Sequence, residues 1–165
     1  MKPLYQRPFD LVQVLYFLVH IPTTLLIDSQ SLAPSSWYPN AARELLQWHI
    51  KTNNDHLVAE NPPWFVALVV CEVVLQLPAF LVLAYGLAYY KPWVRIPCII
   101  YGTHVATTLV PILADFIFGN HATNPNWVAV AIYSPYLLLP LALAVRMAMV
   151  DYGKGVRGGS KAKRV

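Results

Sequence analysis

Two carboxyl groups sit where a chain of this composition has little use for them. Glu72 lies inside "VVCEVVLQLPAF", residues 69–80, within an apolar run from Trp64 to Tyr90, and Asp28 closes the earlier apolar stretch "LYFLVHIPTTLLID". A charged residue near mid-membrane costs roughly 2.5–3.5 kcal/mol on insertion scales. Two outcomes reduce that cost: Glu72 is protonated, or it shares a proton with a neighbouring acid. Asp28 is the natural neighbour. If they touch, the pair titrates as a unit, holding one proton and one negative charge over a wide pH range. Such a site would bind an amphiphile carrying a hydroxyl or a protonated amine, with aromatic rings nearby to favour the cation. Depth is the constraint. Glu72 lies eight residues past Trp64, about 12 Å down at roughly 1.5 Å per residue, whereas Asp28 is near the far end of its own run. Contact requires the first helix to continue into "SQSLAP", or a bend at Pro22.

The other polar residues of the apolar runs fall into stripes. Tyr16, His20, Thr24 and Asp28 recur every four residues, Glu72 and Gln76 are one turn apart, and Tyr101, His104, Thr108, Pro111 and Asp115 follow at threes and fours. The last run offers Tyr133, Tyr136 and Pro140. Stripes on one helix face point into a bundle, because lipid offers them no partner. Thr24, Thr107, Thr108 and Gln76, taken alone, read as interhelical hydrogen-bonding residues worth about 0.6 kcal/mol each. His20 and His104 fit either a structural or a functional role. Asp55 and Glu60 belong to a loop, as solvated groups or helix caps. Asp115 is expected to reach water, Arg146 to snorkel toward headgroups, and Asp10 to be a plain boundary residue. Cys71 and Cys98 read as reduced packing residues. The sequence has no CxxC, no HExxH, no glycine-rich phosphate loop and no Gly-x-Ser-x-Gly, so local motifs predict no metal site, no cofactor and no catalytic residue.

The elements that must position these groups follow from composition. Apolar and aromatic residues make up 57% of the 165 residues and charged ones only 12%, against roughly 25% charged in soluble domains. Four apolar blocks, residues 9–30, 64–90, 96–118 and 127–150, each reach the roughly 20 residues a spanning helix needs. The predicted fold is all-α and integral to the membrane: a four-helix transmembrane bundle with proline-kinked spans and an internal cavity. The prolines are Pro22, Pro78, Pro97, Pro111, Pro135 and Pro140. Residues 1–150 form one membrane domain. In the loop 31–63, "PNAARELLQWHIK" carries Ala42, Leu45, Leu46 and Ile50 at helical spacing, which predicts a short amphipathic helix with Asn40 as its N-cap. Trp64, Trp93 and Trp127 mark interfaces.

Lys2, Arg7, Lys91, Arg95, Lys154, Arg157, Lys161, Lys163 and Arg164 all fall on one side of four spans, against Arg43 and Lys51 on the other. Both termini are therefore expected in the cytosol and the 31–63 loop in the lumen. The net charge of +4 then reads as a topology signal in a disordered basic tail, residues 151–165, and not as a nucleic-acid patch. The first block exceeds the 7–15 apolar residues of a signal peptide and reads as an uncleaved span.

"LYFLVHIPTTLLID", "PPWFVALVVCEVVLQLPAF", "IPCIIYGTHVATTLVPIL" and "YSPYLLLP" occur in that order and resemble the EXPERA family, whose members include the emopamil-binding sterol isomerase. The resemblance covers residues 8–150. It implies a multi-pass endoplasmic-reticulum membrane protein, homodimeric and linked to cholesterol homeostasis. It also implies a deep cavity for sterols or oxysterols and cationic amphiphilic small molecules. The lipid bilayer and sterol-transport membrane proteins are the further partners it suggests. By position, Asp28 matches the acid that pairs with a ligand amine and Glu72 the acid that hydrogen-bonds it. Gln76, His20, Tyr101, Thr108 and Tyr136 match cavity residues, Trp48 and Trp64 have counterparts, and Asp55 matches a loop acid. "HIKTNND" and "FGNHATNPNW" depart from the family loops. Lys161 and Lys163 resemble a K-x-K-x-x retrieval signal. The leading reading is a receptor. The alternative is a sterol double-bond isomerase in which His20 and Glu72 exchange protons and Tyr101 or Trp48 faces the carbocation. A trafficking adaptor is a third reading. Transport is disfavoured, since four spans without repeats give little machinery for alternating access.

Overall fold

In lipid a chain can satisfy its backbone internally only as helices or closed barrels, and each apolar block here is a helix. The computed structural model describes residues 2–119 and 125–152. Four helices are long and apolar enough to span a membrane: Pro8–Ser31, Pro63–Ala88, Pro92–Phe118 and Trp127–Met149. The first comprises α1 (Pro8–Leu26) and a 3₁₀ turn, Asp28–Ser31. Helices α2 (Asn40–Asn53) and α3 (His56–Glu60) then form a lid. The second span is α4 (Pro63–Cys71), a π-helical turn (Glu72–Gln76) and α5 (Leu77–Ala88). The third and fourth are α6 (Arg95–Phe118) and α7 (Trp127–Met149). The all-α four-span architecture is the one the hydropathy pattern predicts.

The prolines do less uniform work than expected. Pro78 is the second residue of α5 but lies inside the continuous span Pro63–Ala88, where its missing N–H interrupts the helical hydrogen bonding. The disturbance lies one turn earlier, where the Leu77 N–H reaches back five residues to the Glu72 carbonyl and widens the helix into a π turn. Pro97 falls in the first turn of α6, while Pro22, Pro111, Pro135 and Pro140 lie inside helices. Where α6 meets α7, Gly102 permits close contact: a Cβ there would overlap the Pro140 carbonyl and stand 2.8 Å from the Ala144 Cβ. Small residues at such crossings let backbones approach.

One end of the bundle is closed by an ion cluster. Asp10 is fully buried, takes hydrogen bonds from Arg7 at 2.6 Å and the Tyr152 hydroxyl at 2.9 Å, and pairs with Arg146. Arg7 also donates to the carbonyls of Leu87 and Ala88, both at 2.8 Å, at the end of α5. Arg95 does the same for Met147 at 2.8 Å and Val150 at 3.0 Å, at the end of α7. Cations at helix C-termini satisfy orphan carbonyls and complement the dipole. Asp10 is thus no plain boundary residue, and Arg146 does not simply reach for headgroups; it also stacks on the Phe9 ring, 4.4 Å from its centroid. Burial and the Asp10 charge push the Tyr152 hydroxyl up, so it remains a donor.

The lid closes the other end. Ala42 and Leu46 are buried, while Leu45 and Trp48 keep exposed surface. Asn40 is not the N-cap. Pro39 takes that position, and the Asn40 amide oxygen accepts from Arg43 inside the first turn. Asp55 caps α3 through the Val58 N–H at 3.1 Å but is 1% exposed, not solvated. It also accepts from His49 Nε2 at 2.9 Å and the Tyr133 hydroxyl of α7 at 2.8 Å. Asn53 bonds the other His49 nitrogen at 2.9 Å, which makes Nε2 the protonated one. Asp115, expected to reach water, is held by His56 at 2.6 Å. The Asn126 amide caps α7 and donates to Asn53 and Asn54 carbonyls of the lid at 2.9 and 3.0 Å.

Gly102→Ala will force α6 from α7 and lower stability by about 1–3 kcal/mol, read as a drop in thermal midpoint in detergent; an unchanged midpoint contradicts the close approach. Burial raises the Asp55 pKa, but bonds from His49, Tyr133 and Val58 outweigh it and hold the carboxyl below its ordinary value. The sign follows: this stabilisation is fully present above the ordinary aspartate value, near pH 3.9, and is lost as pH falls through the lower folded value. Asp55→Ala will cost about 2–3 kcal/mol through the donors it strands and speed hydrogen exchange across residues 40–60. Unaltered exchange there would contradict the lid's dependence on Asp55.

Candidate functional site

Between the spans and beneath the lid lies a cavity of about 330 Å³, at the small end of ligand-binding pockets. Its wall is mostly apolar, with Phe65, Leu68, Val69, Leu109 and Ile112 contributing, and Leu45, Leu46, Trp48 and His49 of α2 line it from the lid side. Polar groups gather in one place. His20 and Asp28 come from the first span, Glu72 and Gln76 from the π turn, Thr108 from α6, and Tyr133 and Tyr136 from α7.

The acids arrive there for local reasons. The Ile27 N–H still bonds the Thr23 carbonyl at 2.8 Å, and the chain then continues as the 3₁₀ turn that begins with Asp28. That turn is tied to the lid region by Tyr38, which donates to the Ser29 hydroxyl at 2.9 Å, and by Gln30, which donates to the Ala42 carbonyl at 3.2 Å. Glu72 opens the π turn, a distortion often found at functional positions. One ligand-competent atom each of His20, Asp28 and Glu72 lies within 4.8 Å of the others. Glu72 Oε1 accepts from the Thr24 hydroxyl at 2.6 Å and stands 3.4 Å from His20 Nε2. Among the described residues no lysine or arginine reaches Asp28 or Glu72.

Around the acids the ring contacts are dense. The His20 imidazole stacks on Phe80 at 4.7 Å and meets Tyr16 and Tyr136 edge-on at 5.1 and 4.9 Å. Tyr136 therefore presents aromatic surface to the cavity beside the carboxyl groups. A nitrogen and two carboxylate oxygens in this spacing could also hold a first-row divalent ion if both acids ionised. An apolar cavity with a pair of acids at one end and no protein cation is suited to an amphiphile whose polar head is positive.

Of the residues singled out from the sequence, His20, Asp28, Glu72, Gln76, Thr108, Tyr136 and Trp48 line the cavity. Tyr101 does not. It is 5% exposed and stands behind the wall, edge-on to Phe17 and Phe80, with its hydroxyl 3.5 Å from that of Tyr16. Trp64 packs against Phe65 outside the lining, at 6.1 Å between ring centroids. Lys161 and Lys163 lie outside the described residues. Three contributors were not read as site residues. Thr24 makes the interhelical hydrogen bond its type predicts, fully buried and donating to Glu72 of the second span, and that bond places it against the acids, one turn from both His20 and Asp28. Tyr133 belongs to the inward stripe of the last run, but its bond to Asp55, like that of His49, has no local signal, because it joins residues distant in the chain or in separate turns of the lid.

Comparison with known proteins accords with this geometry. The family model EXPERA (EXPanded EBP superfamily) matches residues 41–147. Sigma intracellular receptor 2 of Xenopus tropicalis is 40% identical over 153 residues, covering 86% of this chain and 88% of that protein. Its Homo sapiens counterpart is 39% identical over 167 residues, covering 92% and 94%. Efficient mitochondria targeting-associated protein 19 of Saccharomyces cerevisiae is 32% identical over 149 residues, covering 78% and 90%. Four helices fit to span a membrane, a family match across three of them and relatives aligned nearly end to end make this chain a member of the EXPERA superfamily.

Proposed function

We propose that this protein is an endoplasmic-reticulum membrane receptor that binds sterols or oxysterols and cationic amphiphiles, and that it acts in cholesterol homeostasis. Asp28 carries the negative charge that meets a ligand's ammonium, and Glu72 carries a proton that it shares with Asp28. Gln76, Thr108 and Tyr136 shape the polar end, while the apolar wall and Trp48 take the hydrocarbon body. The reading extends to a homodimer with both termini cytosolic, in keeping with the basic residues at that end of the bundle.

One observation carries it. The other buried acids of the described bundle have cationic or fixed partners: Asp10 has two arginines, and Asp55 has His49, Tyr133 and an N–H. The acids of the cavity have a hydroxyl and an imidazole, and open space beside them. A ligand ammonium supplies the missing positive charge, in a medium where an ion pair is stronger than in water. The names of the vertebrate relatives support the same class.

A second reading, a sterol double-bond isomerase, is favoured by the 3.4 Å approach of His20 Nε2 to Glu72 Oε1 at the cavity wall. A proton donor and acceptor in reach of each other is what such a reaction needs. Tyr101, however, stands behind the wall, and the aromatic faces at the cavity are those of Trp48, Phe65, Tyr133 and Tyr136.

Asp28→Asn is expected to weaken a tertiary-amine amphiphile by about 100-fold, as loss of a desolvated ion pair costs roughly 3 kcal/mol, while the thermal midpoint holds. Equal affinity in a folded variant would refute the receptor reading. Expression in isomerase-deficient yeast should leave the sterol profile unchanged, and appearance of the shifted double bond would establish the enzyme instead.

A further inference from the structure

We propose that Gln76 is a second anchor in the cavity, taking a neutral hydroxyl of the same ligand whose ammonium the acids hold. The preferred occupant is then an amphiphile with a cationic head and a hydroxyl set roughly one helical turn, about 5 Å, deeper in the bundle. This rests on the amine-binding reading of the cavity and specifies its ligand further.

Most polar side chains on the cavity wall already have protein partners. Thr23 bonds the Val19 carbonyl at 3.0 Å and Thr108 that of Val105 at 2.9 Å. His49 and the Tyr133 hydroxyl both bond Asp55. Gln76 differs. Its side chain is 5% exposed and lines the cavity, yet its amide makes no hydrogen bond among the described residues. The glutamine of the first span shows the alternative. Gln13 is fully buried and donates to the Leu139 carbonyl at 2.9 Å, joining α1 to α7. Tyr136 also leaves its hydroxyl without a partner, but it is only half-buried.

Leaving an enclosed amide unpaired is unfavourable, so the group that satisfies Gln76 comes from whatever fills the cavity. A hydroxyl matches it best. The amide offers an N–H and a carbonyl side by side, and a hydroxyl both accepts and donates. An ether or ketone would use the N–H alone. A second ammonium would reach only the carbonyl, and would stand close to the first positive charge.

The position follows from the π turn. Glu72 opens it and Gln76 closes it, so the two side chains are four residues apart and share a face. The second span starts beside the lid at Pro63, which puts Gln76 farther from the lid than Glu72. A ligand that runs from Asp28 into the bundle therefore passes Gln76.

The test is a double-mutant cycle between ligand and protein, run on the full-length chain in nanodiscs. The probes are a tertiary-amine amphiphile and the same molecule with a hydroxyl about 5 Å from its nitrogen. The variant is Gln76→Met, nearly isosteric and apolar. The wild type is expected to bind the hydroxylated probe about 10-fold more tightly than the parent amine. In Gln76→Met that preference should fall below about 2-fold, while the parent amine keeps its wild-type affinity. Equal affinity of the wild type for both probes overturns the proposal without any variant, since a resident water then satisfies the amide. A preference that survives in Gln76→Met overturns the assignment to Gln76. Loss of both probes there makes the amide structural and overturns it too. Unchanged affinity of Asp28→Asn for the parent amine overturns the amine-binding reading itself, whatever Gln76 does.

Discussion

A carboxyl group removed from water must be given donors, and this requirement organises the bundle from end to end. At one end Asp10 collects Arg7, Arg146 and Tyr152 and thereby joins α1 to α5, α7 and the segment after it. Under the lid, Asp55 collects His49, Tyr133 and the Val58 N–H and joins α2, α3 and α7. Both acids are almost wholly enclosed, and both use their acceptor capacity on protein groups. The pair in the cavity follows the same rule incompletely. Glu72 has Thr24 and His20, Asp28 has Glu72, and the positive charge is missing.

Backbone irregularity is concentrated at that same place. The first span tightens into a 3₁₀ turn at Asp28, and the second widens into a π turn at Glu72. A regular pair of α-helices would carry these side chains on in fixed register. The two departures place both carboxyl groups at the cavity, and lid contacts from Tyr38 and Gln30 hold the first of them. Elsewhere Gly102 lets α6 approach Pro140 and Ala144 of α7 closely, and aliphatic residues with Phe17, Phe80 and Phe116 fill the interior.

Much of this was legible in the sequence, and the limit has a physical form. Hydropathy specified four spans, because lipid penalises any other backbone arrangement. The fourfold spacing of His20, Thr24 and Asp28 announced a polar face, and the apolar pattern of residues 42–50 announced α2. What could not be read depended on distant partners. Asp10 and Arg146 are 136 residues apart, and Tyr133 is 78 from Asp55, so no local rule separates them from ordinary boundary groups. Tyr101 shares a stripe with Thr108, yet only Thr108 reaches the cavity, because the rings of Phe17 and Phe80 hold Tyr101 back. Proline content suggested kinks; it did not reveal that the distortion before Pro78 is a π turn that opens at Glu72.

The account turns on how many protons the Asp28–Glu72 pair holds before a ligand arrives. Calorimetry with a quaternary-ammonium amphiphile, whose charge is fixed, measures this directly when repeated near neutral pH in buffers of different ionisation enthalpy. A pair already holding one proton and one negative charge binds the cation with no net proton exchange. Release of about one proton per ligand would mean that both acids were neutral beforehand, uptake of about one that both were charged, and either would contradict the shared proton on which the cavity's selectivity for cations is built.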